Sequence, residues 1–130
     1  MNEKNVNEKE KQLERLNELK QEHWKAEEKE TIFGKAKKYL NSAMEEYNHL
    51  NKEELALLDE IAFLSDGTTA NIHAERGLHE REETARHSRF MLESEYEELD
   101  EQERKTKVAR EELEDQIRRQ QKAVYDYAKD

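Results

Sequence analysis

The chain contains no proline, and its one cluster of turn-forming residues is Ser65-Asp66-Gly67-Thr68-Thr69. A helix that has started meets nothing else to stop it, so the chain reads as two long helical arms joined by a short connection. In the first arm Phe33, Ala36, Leu40, Ala43, Tyr47, Leu50, Glu54, Leu57, Ile61 and Leu64 alternate steps of three and four, and only Glu54 is polar. That is a heptad seam sustained over more than four repeats. Upstream, Leu13 and Leu16 resume a similar stripe, and Glu27-Glu28-Lys29-Glu30-Thr31 interrupts it. A stutter or mild bend is expected there, with Gly34 adding to it.

In the second arm one column runs in sevens through Leu78, Ala85, Leu92, Leu99, Thr106, Leu113, Gln120 and Tyr127, with no slip of register. Its companion, Glu82, Arg89, Tyr96, Glu103, Arg110, Ile117 and Val124, is half polar. The expected seam is therefore Leu40, Tyr47, Leu50, Leu57 and Ile61 against Leu78, Leu92, Tyr96, Leu99, Leu113 and Ile117. At the break, Gly67 is expected to take the left-handed conformation that ends helices, with Thr68, Thr69 or Asn71 capping the second.

These features predict an all-α fold: one domain over residues 1–130, an antiparallel, coiled-coil-like two-helix hairpin. Its helices span about residues 5–64 and 71–128 around a turn at 65–70. Folding about Gly67 sets opposite each other residues whose numbers sum to about 134, the register a short loop imposes. The acidic run from Glu93 to Glu103 then faces Lys35, Lys37 and Lys38. Arg104, Lys105, Lys107 and Arg110 face Glu27, Glu28 and Glu30, and Glu111, Glu112, Glu114 and Asp115 face Lys20, His23 and Lys25. An exposed ion pair contributes about 0.3–0.5 kcal/mol and one buried Leu about 1.5–3 kcal/mol, so apolar burial drives pairing and charge selects register.

Composition narrows function. Of the 130 residues 33% are hydrophobic and 43% charged, a balance that suits a thin helical seam flanked by solvated charge. The net charge of −10 has no basic patch to offset it, so neither nucleic acid nor an anionic membrane surface is an expected partner. There is no cysteine for a disulfide or thiolate metal site. The longest apolar stretch, Ile61-Ala62-Phe63-Leu64, is too short to span a bilayer, and Met1-Asn2-Glu3-Lys4-Asn5 lacks a signal-peptide core. Cytoplasmic synthesis is the default, with export that uses no cleaved signal peptide left open.

No catalytic or cofactor-binding constellation emerges. His79, Glu83 and His87 share one helix face with Glu75 a turn earlier, but no ligands converge on them from the first arm. His79-Glu80-Arg81-Glu82-Glu83 ends in Glu where a zinc-protease motif needs its second His, and Glu46-Tyr47-Asn48-His49 supplies once the unit that a di-iron bundle needs twice. Ser42, Ser65, Ser88 and Ser94 sit in no strained turn. We expect no enzyme, no metal and no cofactor.

The apolar surplus points to binding. Ile32, Tyr39, Met44, Leu55, Leu58 and Phe63 flank the first seam, Phe33 stands at its start, and Phe90 and Met91 flank Leu92. That stripe is wider than one helix covers, so another helix, from a second copy or a different protein, is expected to complete a bundle there. On this view Leu58→Glu or Phe90→Glu weakens partner binding, whereas Leu57→Glu or Leu92→Glu unfolds the hairpin.

In Phe33-Gly34-Lys35-Ala36-Lys37-Lys38-Tyr39-Leu40 and the Arg/Glu-rich arm from Glu75 to Gln121, the chain resembles the small helical accessory proteins of LXG toxins in type VIIb secretion. The resemblance implies a targeting factor shaped like the WXG-type hairpins. Such a factor binds the N-terminal helical domain of an LXG toxin, often beside a second small helical protein, and presents it for secretion. The chain departs from the WXG pattern, since Trp24 is followed by Lys25-Ala26 and lies in the first arm, and a Tyr-x-x-x-acid motif at Tyr96 to Asp100 falls inside the second helix. The expected function is a non-enzymatic adaptor; the alternative is a structural coiled-coil homo-oligomer, such as a homodimer, with no secretion role.

Overall fold

The computed structural model describes residues 3–129, which form two helices, α1 at Glu3–Leu64 and α2 at Thr69–Lys129, packed against each other as a hairpin. Among the described residues there is no strand. The helices run for 62 and 61 residues because Glu, Lys, Leu, Arg, Gln and Ala dominate both and lose little side-chain freedom in a helix.

Gly67 takes a φ of 76°, and this left-handed residue turns the chain. Around it Ser65 N donates to the Ile61 carbonyl and Thr68 N to the Ser65 carbonyl, each at 3.0 Å, which uses carbonyls freed at the end of α1. The side chains act differently from the expected caps. The Thr68 hydroxyl donates back to the Ser65 carbonyl, and Asn71 Nδ2 reaches across to the Ala62 carbonyl at 2.6 Å. These bonds clip the turn shut, so α2 starts at Thr69, before the expected Asn71.

Contacts gather the chain into two units, each made from both helices: α1 through Lys35 with α2 from Asp100 onward, and Ala36–Leu99, which holds the turn. In the first unit Leu16, Leu19 and Ala26 are buried. Cross-helix bonds set its register: Gln120 Nε2 donates to the Gln12 carbonyl at 3.0 Å, Arg110 Nε pairs with Glu30, and His23 Nε2 lies 3.1 Å from Glu114 Oε1. The second unit buries Asn51, Ala62, Ala74 and Ala85. There Arg81 pairs with Glu54 at 3.1 Å, and the Lys37 ammonium sits 5.4 Å from the centre of the Tyr96 ring.

Burial traces the seam of α1 through Leu16, Leu19, His23, Ala26, Glu30, Phe33, Lys37, Leu40, Met44 and Tyr47 in unbroken steps of three and four. The stutter expected at 27–31 is absent, because His23 and Glu30 occupy seam positions that apolar counting passes over. The phase changes later, where Tyr47, Asn51 and Leu55 follow one another by fours before Leu58 and Ala62 resume the alternation.

That step overturns part of the expected seam. Leu50, Leu57 and Ile61 stand 53, 58 and 42% exposed, while Met44, Leu55 and Leu58, expected on the partner face, are half-buried. Leu40 and Tyr47 are half-buried on α1, as are Leu78, Leu92, Tyr96, Leu99, Leu113 and Ile117 on α2. α2 makes its own step of two fours at Ser88, Leu92 and Tyr96. Its companion column therefore includes Arg81 and Ser88 in place of the exposed Glu82 and Arg89.

The physical reason is side-chain size. The second unit faces Asn51 and Ala62 toward Ala74, Gly77 and Ala85, and a methyl added at Gly77 would already sit 3.6 Å from Leu58 Cδ2. Small residues on α2 let the two helices close on each other around Leu58, and the seam takes Leu55, Leu58 and Ala62 of α1 in place of Leu57 and Ile61. The turn makes a direct test: Gly67→Ala is expected to cost about 1–2 kcal/mol, because a Cβ is forced into the left-handed region. A urea midpoint equal to that of the unsubstituted protein would contradict this account of the turn.

Candidate partner-binding surface

Ala43, Leu50, Leu57 and Leu64 are spaced by sevens, so they form one column along α1, with Ile61 beside it. At 100° per residue the column lies about 110° around the helix from the centre of the seam in the second unit. All five residues are exposed, Leu64 to 74%. The helix thus carries two apolar faces, one through Leu40, Met44, Leu55, Leu58 and Ala62 turned to α2 and one of exposed leucines turned outward. A face of this kind is what a third helix covers.

The other expected partner-binding residues are dispersed. Tyr39 continues toward the outward face and is 81% exposed, whereas Phe63, also 81% exposed, lies on the opposite flank beside an open groove with Asp59, Asp66 and Glu75. Phe90 stands 68% exposed on the far side of α2 among charged residues, and Met91 is 51% exposed next to it. Ile32 is exposed and Phe33 half-buried in the first unit. Missing from the expected set were the outward leucines, for which the available signal was the run of small residues at Ala74, Gly77 and Ala85.

Polar layers interrupt the seam in each unit. In the second, the Ser88 hydroxyl first, and the Asn51 carboxamide after it, hold the Tyr47 phenol below its ordinary 10.0. Asn51 is 4% exposed and neither its Nδ2 nor its Oδ1 closes a hydrogen bond of good geometry. In the first, Arg110 Nη1 donates to Glu114 Oε1 at 2.6 Å, and His23 Nδ1 lies 3.5 Å from Glu27. Hydrogen bonding to Glu30 first, and Glu114 second, raises the Arg110 guanidinium further above its ordinary range. The His23 and Arg110 hydrogen bonds, in that order, hold the Glu114 carboxyl below its ordinary 4.5.

The histidines gather no ligand set. His79 Nε2 contacts Glu83 Oε1 at 3.3 Å and His49 Nε2 contacts Glu53 Oε1 at 3.2 Å, as i,i+4 pairs on solvated faces. Among the described residues no group of three or more His, Asp or Glu side chains is placed to hold a metal ion. None of the described helices is long and apolar enough to cross a membrane. Comparison of the chain with family models, curated proteins and solved structures finds no match.

The two polar layers make separate predictions. Asn51→Leu is expected to raise stability by about 1–2 kcal/mol, because a buried carboxamide without partners carries a desolvation cost that an apolar side chain lacks. Urea unfolding measures this, and a loss of stability would show that Asn51 is satisfied. For Glu114 the folded carboxyl titrates below the unfolded one, so its contribution is present above the unfolded value and disappears as pH falls through the folded one. Glu114→Gln is therefore expected to lower the melting temperature at neutral pH and to leave it equal to the parent at about pH 2–3. An equal deficit at both pH values would locate the effect in packing.

Proposed function

We propose that the protein is a non-enzymatic adaptor that binds a partner helix along the Leu50–Leu57–Leu64 column and, as its resemblance to LXG accessory proteins implies, escorts the helical N-terminal domain of an LXG toxin to type VIIb secretion. The observation that carries this reading is the division of apolar residues in the second unit. Leu40, Leu55 and Leu58 are half-buried at the hairpin seam beside the buried Ala62, while Leu50, Leu57 and Leu64 stay exposed in a separate column. Burying one such leucine contributes about 1.5–3 kcal/mol, so three in one column supply a binding surface rather than incidental exposure. The adaptor needs no pocket, since a helix recognises a helix through a stripe at heptad spacing.

Co-expression with the N-terminal domain of an LXG toxin from the same organism, followed by size-exclusion chromatography, tests the proposal. Co-elution is expected, and Leu57→Glu is expected to abolish it while circular dichroism stays unchanged. Leu58→Glu is expected to lower helicity instead, because it puts a carboxylate into the seam over Gly77. No complex, together with a stable dimer of the protein alone, would favour the structural homo-oligomer.

A further inference from the structure

The edge of the outward face carries a second column in sevens: Glu46, Glu53 and Glu60, all exposed. It runs beside Ala43, Leu50, Leu57 and Leu64, in the place where a coiled coil carries the charges that select its partner. The residues three and four positions away from these glutamates are Ser42, Ala43, His49, Leu50, Ala56, Leu57, Phe63 and Leu64. None is Lys or Arg. The chain pairs many of its other charges within a helix with Lys or Arg, as in Arg104 with Asp100 and Lys105 with Glu101, but along α1 this column meets only His49, whose Nε2 lies 3.2 Å from Glu53 Oε1. On the inner edge Glu54 is already answered by Arg81 at 3.1 Å.

We propose that this face takes an amphipathic helix of another protein whose Lys or Arg residues recur at heptad spacing beside its own apolar stripe, so that they meet Glu46, Glu53 and Glu60. This rests on the adaptor reading and names the chemistry of the helix that the adaptor accepts. A second copy of the chain does not fit. Antiparallel two-fold pairing of the face with itself sets Glu53 against Glu53 and Glu46 against Glu60, and each copy brings a net charge of −10. Like charges across a helical interface oppose association and exclude wrong partners. The leucines provide affinity and the glutamates provide choice.

Two synthetic helical peptides of four heptads, identical in their Leu/Ala core and carrying either Lys or Glu at the flanking positions, serve as probes against the full chain. By fluorescence anisotropy the Lys peptide is expected to bind about tenfold or more tightly than the Glu peptide, with the gap narrowing as salt rises from about 0.05 M to about 0.5 M. The triple variant Glu46→Lys, Glu53→Lys, Glu60→Lys is expected to invert the preference, and Leu57→Glu to remove binding of both peptides. Circular dichroism verifies that each variant remains helical. Equal affinity for the two peptides, no binding of either, or a preference unchanged in the triple variant would overturn the proposal. So would a dimer of the protein alone that Leu57→Glu dissolves. A complex with an LXG domain that survives the triple variant but not Leu57→Glu would sink the charge assignment and leave the adaptor standing. Lys-peptide selectivity without any LXG complex would do the reverse.

Discussion

The close approach of small side chains in the Ala36–Leu99 unit determines what the rest of the molecule presents. Ala62, Ala74 and Ala85 are buried there with Asn51, and Leu58 lies over Gly77. Alanine gains little from burial, so close fit at these positions is joined by transfer of the half-buried Leu40, Met44, Leu55, Leu58, Leu78, Leu92 and Leu99 from water. Outside this seam Leu50, Leu57 and Leu64 remain exposed on α1. The exposed leucines and the close seam are one arrangement: turning Leu50 and Leu57 inward would carry Leu58 away from Gly77.

Polar residues inside the seam trade stability for a single alignment. Tyr47 with Ser88 in one unit, and His23, Glu30, Arg110 and Glu114 in the other, are matched to each other in this register. A slip by one heptad would leave these half-buried groups without their partners, a cost that uniform leucine layers would not impose. Gln12 with Gln120 extends the same logic toward the chain ends.

The architecture was readable in advance because it rests on strong local signals. The absence of proline and the single break at Gly67 dictate two helices and an antiparallel return, and a short loop sets the pairing, as Glu54 with Arg81 and Ala62 with Asn71 illustrate. What periodicity could not resolve was which of two adjacent stripes beyond Tyr47 faces inward. Hydrophobicity does not separate Leu50, Leu57 and Ile61 from Leu55 and Leu58, whereas the seam depends on how closely Ala74, Gly77 and Ala85 admit the other helix, a property of the pair rather than of either arm. The polar seam positions His23 and Glu30 misled for a related reason, since a heptad filled by charge looks like an interruption. The glutamate column stood in the sequence as well, but acquires meaning only once Leu50 and Leu57 are known to face outward.

The hydrogen bonds between the helices span widely different lengths of chain: nine residues from Asn71 to Ala62, 80 from Arg110 to Glu30, and 108 from Gln120 to Gln12. Loop-closure entropy grows with the chain enclosed, so each contact is inexpensive only after the one nearer the turn has formed. The order of lowest closure cost therefore runs outward from Gly67. During synthesis α1 leaves the ribosome before any of α2 exists to cover it, and for that interval its alanine and leucine faces are open together. The faces that the finished hairpin divides between inside and outside are, for that interval, equally accessible to any other helix.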